Sequence, residues 1–231
     1  MIYFILLIYS LVSAVEYVNS SARSSGILVG SLSAGLMVQN ALSIFTRFFM
    51  FIMMPVLGYV ADTGILAAYN KYQLLTSFWI PIIIIGIFWI FRKNVFNWVN
   101  FMVHTVQTEG KIKIIGYKPK SVNIRNRPTK ADFILKLYYT LYIPYYLAWP
   151  LTIYFMSAFP DYRTTILTTA TVFTGVNTVI MTIWTDPKIS YLSSKKRTMS
   201  LVLYKSLTAK FLALLTSTII ITFVIILSGY K

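Results

Sequence analysis

The sequence predicts an all-α, polytopic membrane helix bundle with about six transmembrane helices, in a single integral membrane domain covering residues 1–231. Two features of composition and one of patterning predict it. Of the residues, 57% are hydrophobic and only 12% charged, half the roughly 25% charged share of an average soluble domain. The charges are one-sided, 21 Lys+Arg against 6 Asp+Glu for a net +15, while mean hydropathy is +0.69. A DNA-binding domain of that charge would be mostly polar. Apolar bulk with excess cations fits a protein whose cations stand outside a bilayer. Finally, the apolar residues fall in long uncharged runs, and a bilayer core about 30 Å thick needs about 20 such residues per helix.

The first run is Ile2 to Val15 or beyond, interrupted by Glu16. Val12-Ser13-Ala14 resembles a signal cleavage site, but no Lys or Arg precedes the run. The basic start of a secretory signal is missing, so the segment reads as a retained helix. The second run, Ile27–Val60, is broken only by Arg47. Its 34 residues would reach about 51 Å as helix. That exceeds one perpendicular span, so a tilted helix or a break near Pro55 and Gly58 is expected. The remaining runs are Leu74–Phe91, Phe133–Phe159 with Lys136 near its start, Thr164–Thr185 and Phe211–Ser228.

Orientation follows from the loops. Arg92–Ala131 holds nine Lys/Arg and one acid, Glu109, and Asp186–Lys205 holds five Lys/Arg and one acid. The positive-inside rule puts both connections in the cytoplasm; with six spans, both termini then face outside. Residues 92–131 are thus a basic cytoplasmic loop. Within it, Val95–Val106 sets Phe96, Trp98, Val99, Met102, Val103 and Val106 among polar residues, the pattern of an interfacial helix. The loop cations report topology and meet anionic phospholipids; a phosphate-bearing ligand is the alternative. No aromatic-and-basic recognition motif stands out, so no nucleic-acid partner is expected.

Scarce residue types exclude much chemistry. With no Cys, disulfides, iron–sulfur clusters, thiolate zinc and Cys nucleophiles are excluded. One His, His104, cannot make a His cage, and six acids leave little for two-metal chemistry. No P-loop motif occurs. The expectation is a non-enzyme with no cofactor and no metal.

The polar residues inside apolar runs are the candidates for function. An Arg at the bilayer centre costs about 2.5–3.5 kcal/mol on insertion scales, and such residues usually face a cavity or a partner. Arg47 shares a helix face with Asn40 and Ser43, and the stripe continues to Gly58 and Asp62, about 33 Å in all. Glu16, Ser20 and Arg23 repeat that spacing in the first helix. Two readings stay open for these charges: a Glu16 ion pair with Arg23 or Arg47 that holds helices together, or a polar cavity that binds or couples to a substrate. Arg23, near the cytoplasmic end, also suits snorkelling. In the fifth span, Thr164, Thr168, Thr171, Thr174, Thr178, Thr182 and Thr185 fall on one face, with Asn177 nearby. They serve either small-residue packing or the lining of a hydrophilic path. Gly26 and Gly30 form a GxxxG pattern that Ser31 and Gly35 extend, as close helix packing requires. The fourth span carries Pro144 and Pro150 and a cluster of tyrosines at 138, 139, 142, 145 and 146. The cluster reads as an interfacial belt, with a platform for sugar stacking as the alternative.

Three blocks resemble the Amj family, the alternative lipid II flippases of bacteria. The first is Val15-Glu16 followed by Ala22-Arg23-Ser24-Ser25-Gly26; the second is Asn40, Thr46-Arg47 and Pro55-x-x-Gly58-x-x-x-Asp62. The third is Arg163-Thr164-Thr165, Gly175, Asn177 and Asp186-Pro187-Lys188-Ile189-Ser190. The resemblance covers most of the chain and implies a multi-pass protein of the bacterial cytoplasmic membrane. Such a protein moves an undecaprenyl-pyrophosphate-linked peptidoglycan precursor across the bilayer; another undecaprenyl-linked glycan stays open as the substrate. On this reading Arg23, Asn40, Arg47 and Lys188 meet the substrate, since Arg suits bidentate phosphate contact. Glu16, Asp62 and Asp186 pair with those cations or couple to ions, and Thr171, Asn177 and Thr178 line the route. A lateral groove or a homodimer would accommodate the large headgroup. A non-catalytic membrane scaffold and, less favoured because the acids are scattered, a polyprenyl-phosphate-processing enzyme are the competing classes.

Overall fold

Glycine and serine divide what the sequence presents as one long apolar run. In the computed structural model, which describes residues 1–116, 131–180, 183–184, 187 and 196–228, helix α1 (Ile2–Val29) passes through Glu16 without interruption. It stops at Gly30, whose φ of 94° is left-handed, a conformation glycine adopts without a Cβ penalty. The amides of Gly30 and Ser31 both donate to the Gly26 carbonyl, at 3.0 and 2.8 Å. Ser31 then caps helix α2 (Leu32–Thr63), its hydroxyl accepting from the Ala34 amide at 3.3 Å. Helix α2 continues through Pro55 and Gly58, so the break expected there is absent. The break lies earlier in the chain, at the αα-hairpin turn of Gly30 and Ser31.

An Asn70–Gln73 capping box opens α3 (Lys71–Phe78), and α4 (Ile80–Ile90) follows with Pro81 in its first turn. Helix α5 (Arg92–Glu109) buries Phe96, Val99, Met102 and Val103 against the bundle and ends at Gly110. A 2.6 Å Glu109–Lys113 ion pair follows the cap. The apolar face expected to lie on lipid is therefore covered by protein: α5 packs on α1 and α2. Helices α6 (Ala131–Ala158), α7 (Arg163–Ile180) and α8 (Lys196–Leu227) complete the fold, with no strand among the described residues. The α1–α2 hairpin and the α6–α8 pair are the two most extensive helix contacts, and α7 packs chiefly on α6.

Among the described residues, four helical stretches are long and apolar enough to cross a membrane: α1, α2, Tyr72–Ile90 across α3 and α4, and Lys205–Leu227 in α8. The six-span expectation is met in part. Lys136, the tyrosines and two prolines lower the apolarity of α6, and α7 has 18 residues rich in Thr. The outer surface is that of a protein solvated by hydrocarbon: Ile44, Phe48, Phe51, Ile83, Ile90 and Phe223 are each more than half exposed. A water-soluble monomer seldom exposes so much apolar surface.

Two cores divide the interior. One gathers Tyr17, Val38, Met102, Tyr142 and Leu214; the other gathers Ile5, Leu57, Leu74, Trp149 and Ile225. Of the two α6 prolines, Pro144 is exposed and Pro150 is buried. Pro150 has no N–H for the carbonyl of Tyr146, and the buried Tyr9 hydroxyl donates to that oxygen at 3.0 Å. Tyr9→Phe should strand this acceptor and lower stability by about 1–3 kcal/mol, read as a fall in the unfolding midpoint of detergent-purified protein.

Candidate functional site

A polar cavity of about 340 Å³ opens between the α1–α2 hairpin and the α6–α7 pair. The one-face spacing of α1 brings Glu16, Ser20 and Arg23 to it. From α2 come Gln39, Ser43, Thr46 and Arg47; from α6, Tyr138, Tyr142 and Tyr145; from α7, Asn177 and Thr178. Glu16 and Arg23 are half-buried, while Arg47 is exposed and stands at the rim.

The walls are rich in acceptors. Asn19 donates its amide to Ser43 at 3.0 Å. Its oxygen, with those of Gln39 and Asn177, is buried without a hydrogen-bond partner among the described residues. A buried acceptor left unpaired costs about 1–3 kcal/mol, so these groups suit a ligand bearing hydroxyl or amide donors.

Glu16 has a partner that the sequence reading does not contain. Lys210, on α8, is completely buried. Its Nζ donates to the Glu16 carbonyl at 2.7 Å and lies 4.3 Å from the centroid of the Tyr142 ring. Its charge acts on the Glu16 carboxylate, and the Thr46 side chain is within hydrogen-bonding reach of that group. Lys210 thus joins Arg23 and Arg47 as a cation on the helices around Glu16.

Of the other residues singled out, Asn40 and Asp62 are exposed on α2 and do not line the cavity. Asp62 is fifteen residues beyond Arg47, a step that turns about 60° away from it. Gln39, one place from Asn40, is the side chain that turns inward. Thr171 is exposed outside the cavity, and its hydroxyl donates to the Thr168 carbonyl at 2.6 Å. Thr168, Thr169, Thr174 and Thr178 likewise bond back to their own helix, which makes threonine inexpensive in an apolar segment. Lys188 and Asp186 lie outside the described residues.

No protein-family model, curated protein or solved structure matches the chain.

The tyrosines correct the interfacial-belt expectation. Tyr138, Tyr142 and Tyr146 are buried inside the bundle. The rings of Tyr138 and Tyr142 are nearly parallel with centroids 5.9 Å apart, and Tyr145 meets Tyr142 edge-on at 5.7 Å. The 3–4-residue spacing of 138, 142 and 145 gives one wall of the cavity an aromatic surface. Such a wall suits the faces of sugar rings as well as it suits protein packing.

Proposed function

We propose that the protein is a flippase for an undecaprenyl-pyrophosphate-linked glycan, with the lipid II peptidoglycan precursor as the leading substrate. One observation carries the reading. A single cavity inside an apolar helix bundle combines two guanidinium groups, unpartnered acceptor amides and tyrosine rings. A phosphate–sugar headgroup asks for each of these: cations for the phosphates, acceptors for sugar hydroxyls and an aromatic wall for ring faces. The resemblance of Glu16, Arg23, Arg47 and Asn177 to the Amj blocks supports the same conclusion independently of the cavity.

The topology fits the task. With α6 and α7 as the fourth and fifth of six spans, the basic connections lie in the cytoplasm and both termini outside. The cavity residues of α6 follow the basic loop, and those of α7 come near its cytoplasmic end, so the cavity opens toward the leaflet where such a precursor is made. Its volume accommodates the phosphate-proximal part of the head, with the remaining glycan and peptide left outside it. The compartment on this reading is the bacterial cytoplasmic membrane, and anionic phospholipids meet the basic loop. Lys210 gives Glu16 a part in holding the bundle together, so substrate contact falls to Arg23 and Arg47.

Complementation tests this. In cells depleted of their main lipid II flippase, the protein should restore growth and outer-leaflet lipid II. Loss of a charged hydrogen bond, about 1.5–3 kcal/mol, weakens binding roughly ten- to hundredfold, so Arg47→Ala should remove rescue at unchanged protein level. Rescue by Arg47→Ala would sink that residue's role. No rescue by folded wild type would sink the lipid II assignment.

A further inference from the structure

Beside the polar cavity lies a second one of about 370 Å³, an open groove between α6 and α7. Its walls include Pro144, Leu147, Leu151, Phe155, Ile166 and Phe173. The two threonines in it are chemically silent: Thr152 donates to the Ala148 carbonyl at 2.7 Å and Thr169 to the Thr165 carbonyl at 2.8 Å. Pro144 offers no N–H. The groove therefore presents hydrocarbon and aromatic surface with no free donor from these side chains.

The two spaces follow one another along both helices. On α6, one stripe at three- and four-residue steps carries Tyr138, Tyr142 and Tyr145 in the cavity and then Ala148, Thr152 and Phe155 in the groove. On α7, which returns antiparallel, Ile166, Ala170 and Phe173 line the groove, and Asn177 follows on the same face in the cavity. From Tyr145 to Phe155 the groove extends about 15 Å. A polar, cationic site and an apolar groove thus lie end to end along the same seam, which is the outline of an amphiphile.

We propose that the α6–α7 groove seats the hydrocarbon chain of the same lipid whose head occupies the polar cavity, a polyisoprenyl chain rather than a phospholipid acyl chain. This rests on the reading of the cavity as a headgroup site. Apolar contact alone would not select one chain over another, because lipid tails are as apolar as leucine. Selection comes from the tether: a head held in the cavity keeps its own chain at high effective concentration beside the groove. With the topology above, the head points toward the cytoplasm and the chain toward the bilayer centre, as a lipid of the inner leaflet stands.

The test uses the full chain in phospholipid nanodiscs containing a trace of undecaprenyl phosphate. A photoreactive benzophenone side chain replaces Phe173 in the groove or, as a control, Val172, which is 62% exposed outside it. The two positions have nearly the same depth on α7 and differ by about 100° in direction. The expected result is about tenfold more undecaprenyl cross-link at 173 than at 172, a discrimination worth about 1.4 kcal/mol. The variant Ala170→Trp, which fills the groove, should bring 173 down to the control level while its cross-linking to phospholipid persists. Equal undecaprenyl yields at the two positions, or a yield at 173 unchanged by Ala170→Trp, overturn the proposal. Equal yields with cellular rescue intact would remove the groove alone; enriched yield without rescue would support the groove and remove the flippase reading.

Discussion

Replacing Lys210 by Met is expected to lower the stability of the detergent-purified protein by about 3–5 kcal/mol. Met preserves most of the side-chain volume, so the loss reports the ammonium group. That group is fully buried, donates to the Glu16 carbonyl at 2.7 Å and sits over the Tyr142 ring. Without it, the Glu16 carboxylate faces the interior with no opposing charge from α8, and the α1–α8 contact loses its polar link. Glu16→Gln should destabilise in the same direction by leaving Lys210 buried without a carboxylate. The double variant should be less damaged than the sum of the two, by about 0.5–3 kcal/mol of coupling. Denaturant or thermal unfolding of the four proteins measures this cycle. A Lys210→Met variant within about 0.5 kcal/mol of wild type, the range of an inconsequential surface change, would show that the cluster does not hold the bundle.

Lys210 also marks where sequence reading stops. Taking the last span to begin at Phe211 leaves Lys210 as a flanking cation, the usual position for Lys at a membrane edge. The helix in fact starts at Lys196, which puts Lys210 fourteen residues inside it. A signal was present: Ser206, Lys210, Ala213 and Ser217 recur at helical spacing and are all buried, small residues that leave a slot for a long one. All-helical architecture and apolar spans were legible because they depend on local composition and period. The α1 stripe of Glu16, Ser20 and Arg23 was legible for the same reason, and those three residues share one cavity. What was not legible depends on the partner helix. Whether Gln39 or Asn40 turns inward is decided by how α2 rests on α1. Whether tyrosines form a belt or a cavity wall is decided by which face of α6 packs on α7 and α8. The hairpin break was hidden because Gly30 and Ser31 sit inside an uninterrupted apolar run, although Gly followed by Ser is a stop-and-start signal in its own right.

The same turn yields the second large effect. The GxxxG expectation paired Gly26 with Gly30, but Gly30 is the left-handed cap and the close approach is between Gly26 on α1 and Gly35 on α2. A Cβ at Gly26 would lie 2.7 Å from the Gly35 Cα and 2.8 Å from the Ser31 carbonyl oxygen. One at Gly35 would lie 2.8 Å from the Gly26 Cα and 2.9 Å from the Ala22 carbonyl oxygen. All four neighbours are backbone, so no side chain can rotate away and the helices themselves must separate. Overpacking of this kind costs about 1–3 kcal/mol and sometimes more; Gly26→Ala and Gly35→Ala should reach or exceed the upper end. Gly58 and Gly175 are internal controls, because a Cβ at either meets nothing within 4 Å. Alanine there should be neutral or stabilise by up to about 1 kcal/mol through helix propensity. Unfolding midpoints and folded yield of the four variants decide the matter, and a Gly35→Ala protein as stable as Gly58→Ala would refute the hairpin contact. The consequence reaches the cavity: Arg23 lies three residues before Gly26, and Gln39 four residues after Gly35. Forcing the hairpin apart at the glycines therefore displaces both walls of the cavity at once, so substrate binding should fall in any Gly26 or Gly35 variant that still folds.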